Sequence, residues 1–277
     1  MNKSTALSSS QTSTYNTAFR KNIKPLVIKI GGAILEKELA LKALLSVIAE
    51  LTDKQVVLVH GGGCVVDEML AQAGFSTEKK HGLRVTPAEQ MPIISGALAG
   101  TVNKAIVAAA NSLNLASVGL SLNDGDMLSC ELSPLALGLV GIPKANNSKL
   151  IDSLLNGGFL PVISSIGSLP NGELVNVNAD DAAVAICQLL NADLLLLTDV
   201  NGVKGSDGQY LSSLNSEQAL NLIEKGVISG GMTAKVNAAL HAAKQLRRSI
   251  AVASWQSPEQ ISQLLDGLGI GTQIQPN

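Results

Sequence analysis

The chain has 277 residues, of which 46% are hydrophobic and 15% charged, and this composition excludes disorder over most of its length. The net charge of −2 and the 2% aromatic content supply neither the basic stripe nor the stacking platforms of a nucleic-acid-binding protein. No run of about 18 apolar residues is free of charged residues, so no membrane span is expected.

The first 22 residues are predicted to be a flexible tail. Nine of the first 17 residues are Ser or Thr, and no apolar period occurs among them. This segment lacks the apolar region of a secretory signal. A cytoplasmic location is therefore expected.

Two units of strand, glycine cluster and helix follow. The strand LVIKI (26–30) runs into Gly31-Gly32, and the strand VVLVH (56–60) runs into Gly61-Gly62-Gly63. After the first cluster, apolar residues recur on one helical face, namely Leu41, Leu44, Leu45, Ile48 and Leu51. A helix through Met69 is expected after the second cluster.

The rest of the chain continues to alternate strands with helices. The predicted elements are an Ala-rich helix over about 88–113, a strand at 117–121, a hairpin over 127–141, a helix from an N-cap at Ser148 to Gly157, a strand at 160–166, a turn at 170–172, and strands at 194–198 and 250–254. Strands that are apolar on both faces and alternate with helices predict a mostly parallel sheet with helices on each side. The fold class is therefore α/β, a three-layer α/β/α sandwich with an open central sheet.

Glycines at the carboxyl ends of strands favour an anion-binding site. Without a Cβ atom, backbone N–H groups can approach an anion closely, and the following helix N-terminus adds positive potential. Tight packing between strand and helix is the alternative for either cluster alone. The phosphate-binding sequence G-x-x-x-x-G-K-[ST] is absent, and the only G-x-G-like run, at 267–271, does not connect a strand to a helix. A P-loop enzyme and a Rossmann dehydrogenase are therefore disfavoured.

Two lysines stand at unusual positions. Lys29 lies in an otherwise apolar strand, where an ammonium group needs a negative partner or an exit to solvent. Lys235 is predicted to lie in the first turn of a helix capped by Thr233, where the helix dipole disfavours a cation unless an anion is also bound. Both lysines are candidates for binding an anionic substrate.

Polar residues elsewhere could orient a ligand. Asn176, Asn178 and Asp180 precede an Ala-rich helix, and Asn178 or Asp180 could instead be its N-cap. Arg84 lies in a polar loop and could bind a carboxylate with both arms of its guanidinium group, although a solvated role is the alternative. His60 could be a catalytic base or a satisfied core residue.

Metal and disulfide chemistry find little support in the sequence. The three cysteines, Cys64, Cys130 and Cys187, are far apart and are predicted to be small core residues. The three histidines lack zinc-ligand spacing, so no protein-bound metal is predicted. With no strong base candidate, phosphoryl transfer to an ionised acceptor is attractive, because it can proceed by positioning and cationic stabilisation alone.

Taken together, these motifs resemble the amino acid kinase family and, within it, the members that phosphorylate N-acetyl-L-glutamate. The resemblance covers nearly all residues after about 23, in order, through LVIKIGG (26–32), VHGGGCVVDE (59–68), GLRVTPAEQ (82–90), GALAGTVNK (96–104), LPVISSIG (160–167), VNVNADDAA (175–183), LLLTDVNGV (195–203) and GGMTAKVNAAL (230–240). It implies a kinase domain over 23–277. An N-lobe (23–188) would bind the amino acid and form a homodimer, and a C-lobe (189–277) would bind ATP.

The resemblance also implies a role for each site residue. Lys29 and Lys235 would stabilise the transferring phosphoryl group, and Asp180 would hold both lysines. Gly31, Gly32, Gly61 and Gly62 would donate N–H groups, while Arg84, Asn176 and Asn178 would form the substrate pocket. ATP, accompanied by Mg²⁺ on its phosphates, would lie along Asp199, Val200, Asn201, Gly202, Val203 and Lys204, and along Val227, Ile228 and Ser229.

Two further functions stay open on the sequence. Another amino acid kinase, specific for glutamate, aspartate, carbamate or uridylate, would share most of these motifs. A non-catalytic metabolite sensor on the same fold would be expected to have lost a lysine or the aspartate, whereas Lys29, Lys235 and Asp180 are all present.

Overall fold

The structure is a computed structural model, and it describes residues 24–80, 82–265 and 271–276. The predicted tail over 1–22 lies outside the described residues. The strands are β1 (Leu26–Ile30), β2 (Val56–His60), β3 (Lys79–Lys80), β4 (Leu83–Arg84), β5 (Ser117–Ser121), β6 (Leu128–Leu132), β7 (Val140–Ala145), β8 (Leu160–Ser164), β9 (Ile166–Ser168), β10 (Leu174–Val177), β11 (Asp193–Thr198), β12 (Ser213–Leu214), β13 (Ile250–Ser254) and β14 (Thr272–Ile274). The helices are α1 (Gly32–Leu35), α2 (Glu38–Glu50), α3 (Gly63–Gln72), α4 (Met91–Ser95), α5 (Asn103–Ser112), α6 (Lys149–Asn156), α7 (Ala179–Leu190), α8 (Ser216–Glu224), α9 (Gly231–Leu246) and α10 (Gln260–Leu265).

Among the described residues, eight strands form a central sheet in the order β12-β14-β13-β11-β1-β2-β8-β5. Neighbouring strands are parallel, except that β13 and β14 are antiparallel. A smaller sheet, β6-β7-β10-β9, and the β3-β4 hairpin lie outside this sheet. The predicted mostly parallel α/β architecture is therefore confirmed.

The central sheet buries both of its faces. Because side chains alternate along a strand, Val27 and Ile28 of β1 lie in different core clusters. The Val27 cluster includes residues of α6, α7 and α9, whereas the Ile28 cluster includes residues of α2 and α5. Helices therefore cover the sheet on both sides, which gives the three predicted layers.

The predicted lobe boundary falls inside α7. Strands β1, β2, β5 and β8 precede residue 188, and β11 to β14 follow it. These two sets occupy opposite halves of the central sheet and meet where β1 pairs with β11. The separate ligand-binding roles of the two lobes stay a prediction.

Two helix caps differ from the prediction. Helix α9 begins at Gly231, three residues earlier than an N-cap at Thr233 would place it, because Gly230 adopts a φ of 56° that glycine tolerates without strain. Lys235 therefore lies in the second turn of α9. Ser148 does precede α6, but its side chain makes no capping bond, and the side-chain oxygen of Asn147 accepts the Lys149 N–H at 3.0 Å instead.

The Ala-rich helix is present but irregular. Between α4 and α5 the backbone forms a π-helical segment, Gly96–Val102. By length and composition alone, the 25-residue run Ala88–Ser112 could cross a membrane. In the structure, its residues Ile94 and Ile106 are buried in core clusters, a role that long apolar helices also take in globular domains.

The cysteines divide into two kinds. Cys130 and Cys187 are buried, as predicted, and burial raises the pKa of the Cys130 thiol to about 11. Cys64 is exposed, so the prediction that it is a core residue is wrong. It is the second residue of α3, and its Sγ atom lies near Gly32.

Candidate active site

The candidate site lies at the carboxyl ends of four adjacent strands. Strands β11, β1, β2 and β8 are parallel neighbours, and they end just before Asp199, Gly31, Gly61 and Ser165 respectively. The chain continues from β1 to β2 on one side and later enters β11 on the other. This edge is therefore a topological switch point, where open α/β sheets bind their ligands.

Lys29 and Asp180 form an ion pair in a cavity of about 260 Å³. Lys29 Nζ lies 2.9 Å from Asp180 Oδ1, and the two side chains are 18% and 28% exposed. Residues lining this cavity also include Gly31, Gly32, Thr198, Asp199, Lys235 and Trp255. The strand lysine thus has the negative partner that its burial requires.

Lys235 enters the same cavity from α9 but has a different partner. Its ammonium group donates to the carboxylate of Asp199, and this hydrogen bond lowers the pKa of Asp199 below its ordinary value. The predicted contact of Asp180 with both lysines is therefore seen only for Lys29. Both lysines nevertheless line one cavity, although they lie more than 200 positions apart in the sequence.

A second cavity, of about 230 Å³, contains the predicted acceptor residues. Arg84, Asn176 and Asn178 line it, together with Gly61, Gly62, Gly63, Lys79 and Ser165. Asn178 and Ala179 line this cavity, while Asp180 lines the one that holds Lys29. The N-terminus of α7 thus stands between the two cavities.

Arg84 is fixed in place from three directions. Its Nη1 atom donates to Asp67 Oδ1 at 2.5 Å and to Thr77 Oγ1 at 3.2 Å, and Nη2 donates to the Gly63 carbonyl at 3.1 Å. Its side chain is only 9% exposed. Because a guanidinium group has five N–H donors, two of them have no hydrogen-bond acceptor among the described residues.

Asp67 forms an ion pair with Arg84. Burial tends to raise the pKa of Asp67, but hydrogen bonds from Arg84 and Thr77 and the charges of Arg84 and Lys79 outweigh it and lower that pKa. The carboxylate therefore stays ionised and holds β4 against α3. Sequence reasoning missed Asp67, because an acidic residue five positions into a helix carries no distinguishing pattern.

The two asparagines have separate partners. The Asn178 side-chain oxygen accepts the backbone N–H groups of Asp180 and Asp181, so Asn178 is the N-cap of α7. Asn176 Nδ2 donates to Thr86 Oγ1 at 3.1 Å. Among the described residues, no donor is bonded to the side-chain oxygen of Asn176.

The two glycine clusters lie next to each other, and each lines one of the two cavities. A Cβ atom on Gly32 would lie 3.6 Å from Cys64 Sγ and 3.9 Å from the Gly63 nitrogen, so the two glycine loops are in contact range. A Cβ atom on Gly62 would lie 2.9 Å from Val102. Within the described part of the chain, no turn or loop carbonyl accepts a hydrogen bond from the backbone N–H of Gly62, so this donor is available to an anion.

Comparison with known proteins decides the family. The sequence profile of the amino acid kinase family matches residues 24–254. The chain belongs to the amino acid kinase family. It is 81% identical over 255 residues to an acetylglutamate kinase of Colwellia psychrerythraea, covering 92% of this chain and 98% of the relative. It is 50% identical to an acetylglutamate kinase of Aeromonas hydrophila, covering 90% and 97%.

Solved structures agree with the fold of an amino acid kinase. A Streptococcus mutans protein, smu.665, superposes with a TM-score of 0.72 at 28% identity, covering 91% of this chain and 98% of that one. The match extends over both halves of the central sheet.

In this amino acid kinase, His60 is a core residue. It is fully buried, and burial lowers its pKa to about 4. Its Nδ1 atom lies 2.8 Å from the Gly61 carbonyl, and its Nε2 atom lies 3.0 Å from Asn103 Nδ2. Of the two roles left open by the sequence, the satisfied core residue is the one the structure favours.

The predicted nucleotide residues are only partly at the cavity. Of the nine, Asp199 lines the cavity that holds the lysines. Val203 and Ile228 are each 2% exposed, and Val203 N–H donates to Thr272 Oγ1 at 2.8 Å. The Lys204 ammonium group lies 5.3 Å from the centre of the Tyr210 ring. The roles of Val200, Asn201, Gly202, Val227 and Ser229 in nucleotide binding stay a prediction.

Proposed function

We propose that this amino acid kinase transfers the γ-phosphoryl group of ATP to the γ-carboxylate of N-acetyl-L-glutamate. The products are ADP and N-acetyl-L-glutamyl 5-phosphate, a step of arginine biosynthesis. The observation that carries the proposal is the pair of cavities on either side of the α7 N-terminus, one lined by two lysines and the other by Arg84 and Asn176. The acetylglutamate kinase that is 81% identical supports the choice of acceptor.

The acceptor binds in the cavity of Arg84. The two free guanidinium donors bind its α-carboxylate, because a planar fork suits a carboxylate. The carbonyl oxygen of Asn176 accepts the acetamido N–H. With the α-carboxylate held at Arg84, the γ-carboxylate reaches the glycine loops, where Gly32, Gly61 and Gly62 line the two cavities.

Transfer needs no general base. A γ-carboxylate oxygen forms a bond to the γ-phosphorus while the bond from phosphorus to the β,γ-bridging oxygen breaks, and that electron pair leaves with ADP. The acceptor is already ionised, so no proton moves. Lys29 and Lys235 stabilise the negative charge on the transferring group, and Asp180 keeps Lys29 in position through their 2.9 Å ion pair.

The residues of the lysine cavity would leave Mg²⁺ to be carried by the phosphates of ATP. The cavity carboxylates of Asp180 and Asp199 are already paired with lysines, and the described residues contain no cluster of three or more potential metal ligands. Mg²⁺ carried by the phosphates of ATP would supply charge neutralisation there.

A hydroxamate trap tests the proposal. The purified protein is incubated with ATP, Mg²⁺ and hydroxylamine, and with N-acetyl-L-glutamate, L-glutamate or L-aspartate as acceptor. An acyl phosphate reacts to a coloured hydroxamate, and N-acetyl-L-glutamate is expected to give the fastest formation. Faster product from either free amino acid would contradict the acceptor assignment. Absence of product with all three would contradict carboxylate phosphorylation.

We also propose a homodimer. Strand β5 is an edge strand in the described part of the chain, pairing with β8 alone. Edge strands are available for further pairing or coverage. Light scattering coupled to size-exclusion chromatography should give twice the chain mass of 28.6 kDa, and a monomer or a hexamer would contradict the proposal.

A further inference from the structure

A buried polar pair lies directly beneath the glycine loop of β2. His60 is 0% exposed and Asn103 is 1% exposed. Asn103 Nδ2 donates to the Val162 carbonyl at 2.9 Å and lies 3.0 Å from His60 Nε2. The Gly61 carbonyl lies 2.8 Å from His60 Nδ1. A chain of hydrogen bonds thus connects β8 to the glycine loop through two side chains.

The partners of the imidazole determine its tautomer. A carbonyl oxygen can only accept, so the nitrogen facing Gly61, Nδ1, must carry the proton. The amide nitrogen of Asn103 can only donate, so Nε2 must accept. His60 is therefore a neutral Nδ1–H imidazole that donates to Gly61.

The irregular helix puts Asn103 in this position. Asn103 follows directly after the π-helical segment Gly96–Val102. Two residues of that segment, Leu98 and Val102, pack against Gly62 so closely that a Cβ atom there would lie 3.1 Å and 2.9 Å from them. π-helical turns within α-helices are often found at functional sites.

The bond to Gly61 determines which way the next peptide faces. In a trans peptide the C=O and the following N–H point in opposite directions. Because His60 holds the Gly61 carbonyl toward the core, the Gly62 N–H points away from the core, on the side where Gly62 lines the acceptor cavity. Two consecutive glycines could otherwise rotate this peptide readily, and the opposite orientation would present a carbonyl oxygen to an anion.

We propose that His60 and Asn103 are positioning residues that hold the Gly61–Gly62 peptide with its N–H toward the transferring phosphoryl group. The proposal rests on the proposed phosphoryl transfer to a carboxylate. Neither side chain touches substrate or exchanges a proton in the reaction. Their contribution is to orient one backbone donor before the substrates bind.

Two matched substitutions test this. In His60→Asn, the side-chain amide nitrogen can take the place of Nδ1 and keep the bond to Gly61. In His60→Gln, the amide reaches the place of Nε2 and that bond is lost. We expect kcat to fall at least about tenfold in His60→Gln, by analogy with loss of one oxyanion donor, and less than about threefold in His60→Asn, with KM for N-acetyl-L-glutamate little changed in both. His241→Gln, at an exposed histidine on α9, serves as the control and should match the wild type.

Equal losses of kcat in the two His60 variants, or a larger loss in His60→Asn, would contradict the proposal, because a packing role would favour Gln, whose volume is closer to that of His. A measurement on the unmodified protein covers the case in which neither variant folds. The ¹⁵N spectrum of the histidine side chains, assigned with His81→Gln and His241→Gln, should show the Nδ1–H tautomer for His60, and an Nε2–H tautomer would overturn the proposal. An inactive wild-type protein would instead contradict the proposed function.

Discussion

The two sides of the α7 N-terminus are organised differently. On the side proposed to bind the acceptor, Arg84 is 9% exposed and makes three hydrogen bonds within the protein. On the side proposed to bind the nucleotide, Lys235 and Asp199 are 40% and 49% exposed and have one ion pair between them. The Arg84 cavity thus contains a largely buried guanidinium group with several partners, and the lysine cavity includes a pair that solvent can reach.

This difference indicates how each side meets its ligand. Buried polar groups with several partners are costly to move, so the acceptor side is pre-organised in the free protein. An exposed ion pair contributes little to stability. Lys235 can therefore exchange Asp199 for a phosphate oxygen at small cost, while Lys29, paired with the more buried Asp180, stays where it is.

The largest effect is expected from removing a lysine of the nucleotide side. Lys29→Ala or Lys235→Ala should lower kcat by roughly 10²-fold, the scale for loss of an electrostatic stabiliser, with a smaller change in KM for N-acetyl-L-glutamate. Steady-state kinetics measure this. Lys244→Ala, at an exposed lysine on the same helix as Lys235, is the matched control. Near-normal turnover in both cavity variants would refute the assigned roles.

The second largest effect is expected at Arg84, and it should change KM rather than kcat. Arg84→Lys keeps the charge but loses the planar fork, so KM for N-acetyl-L-glutamate should rise about tenfold with little change in kcat. A fall in kcat with unchanged KM would place Arg84 with the lysines and remove the contrast between the two sides.

A pH effect on stability follows from the buried histidine. The folded pKa of His60, about 4, lies below its ordinary value of 6.5. The unfolded chain therefore binds more protons between these values, and stability should fall as pH drops through that window. The free energy of unfolding should fall by about 1 kcal/mol between pH 7.5 and pH 5.5. Urea unfolding at the two pH values measures it, and His60→Asn should show a smaller pH dependence. The same dependence in both proteins would show that His60 is not the group responsible.

The smallest effect concerns the support of Arg84. Asp67→Asn keeps a hydrogen-bond acceptor but loses the charge, so KM for N-acetyl-L-glutamate should rise by about threefold, less than in Arg84→Lys. Glu68→Gln, next to it on α3 and bonded only to Gln72 among the described residues, should behave as wild type. An Asp67 variant with a larger defect than Arg84→Lys would indicate that Asp67 does more than orient the arginine.

Much of the fold could be predicted because its signals are local. The four apolar residues in each of β1 and β2, with the glycines after them, predicted parallel strands and strand-to-helix connections, and these are present. The N-cap at Asn178 was also foreseeable, since short amide side chains at a helix start have few other uses. The start of α9 was missed because it depends on the positive φ of Gly230, which no neighbouring residue demands.

The sequence by itself therefore determined the layers of this protein, its family motifs and the residue types that phosphoryl transfer would use, because periodicity and chemical type are properties of short segments. Only the tertiary structure decided which charges meet. It paired Asp180 with Lys29 and Asp199 with Lys235, and it placed Asn103, through a π-helical segment, against His60. Such pairings depend on where distant segments lie across the sheet, and spacing along the chain carries no information about that.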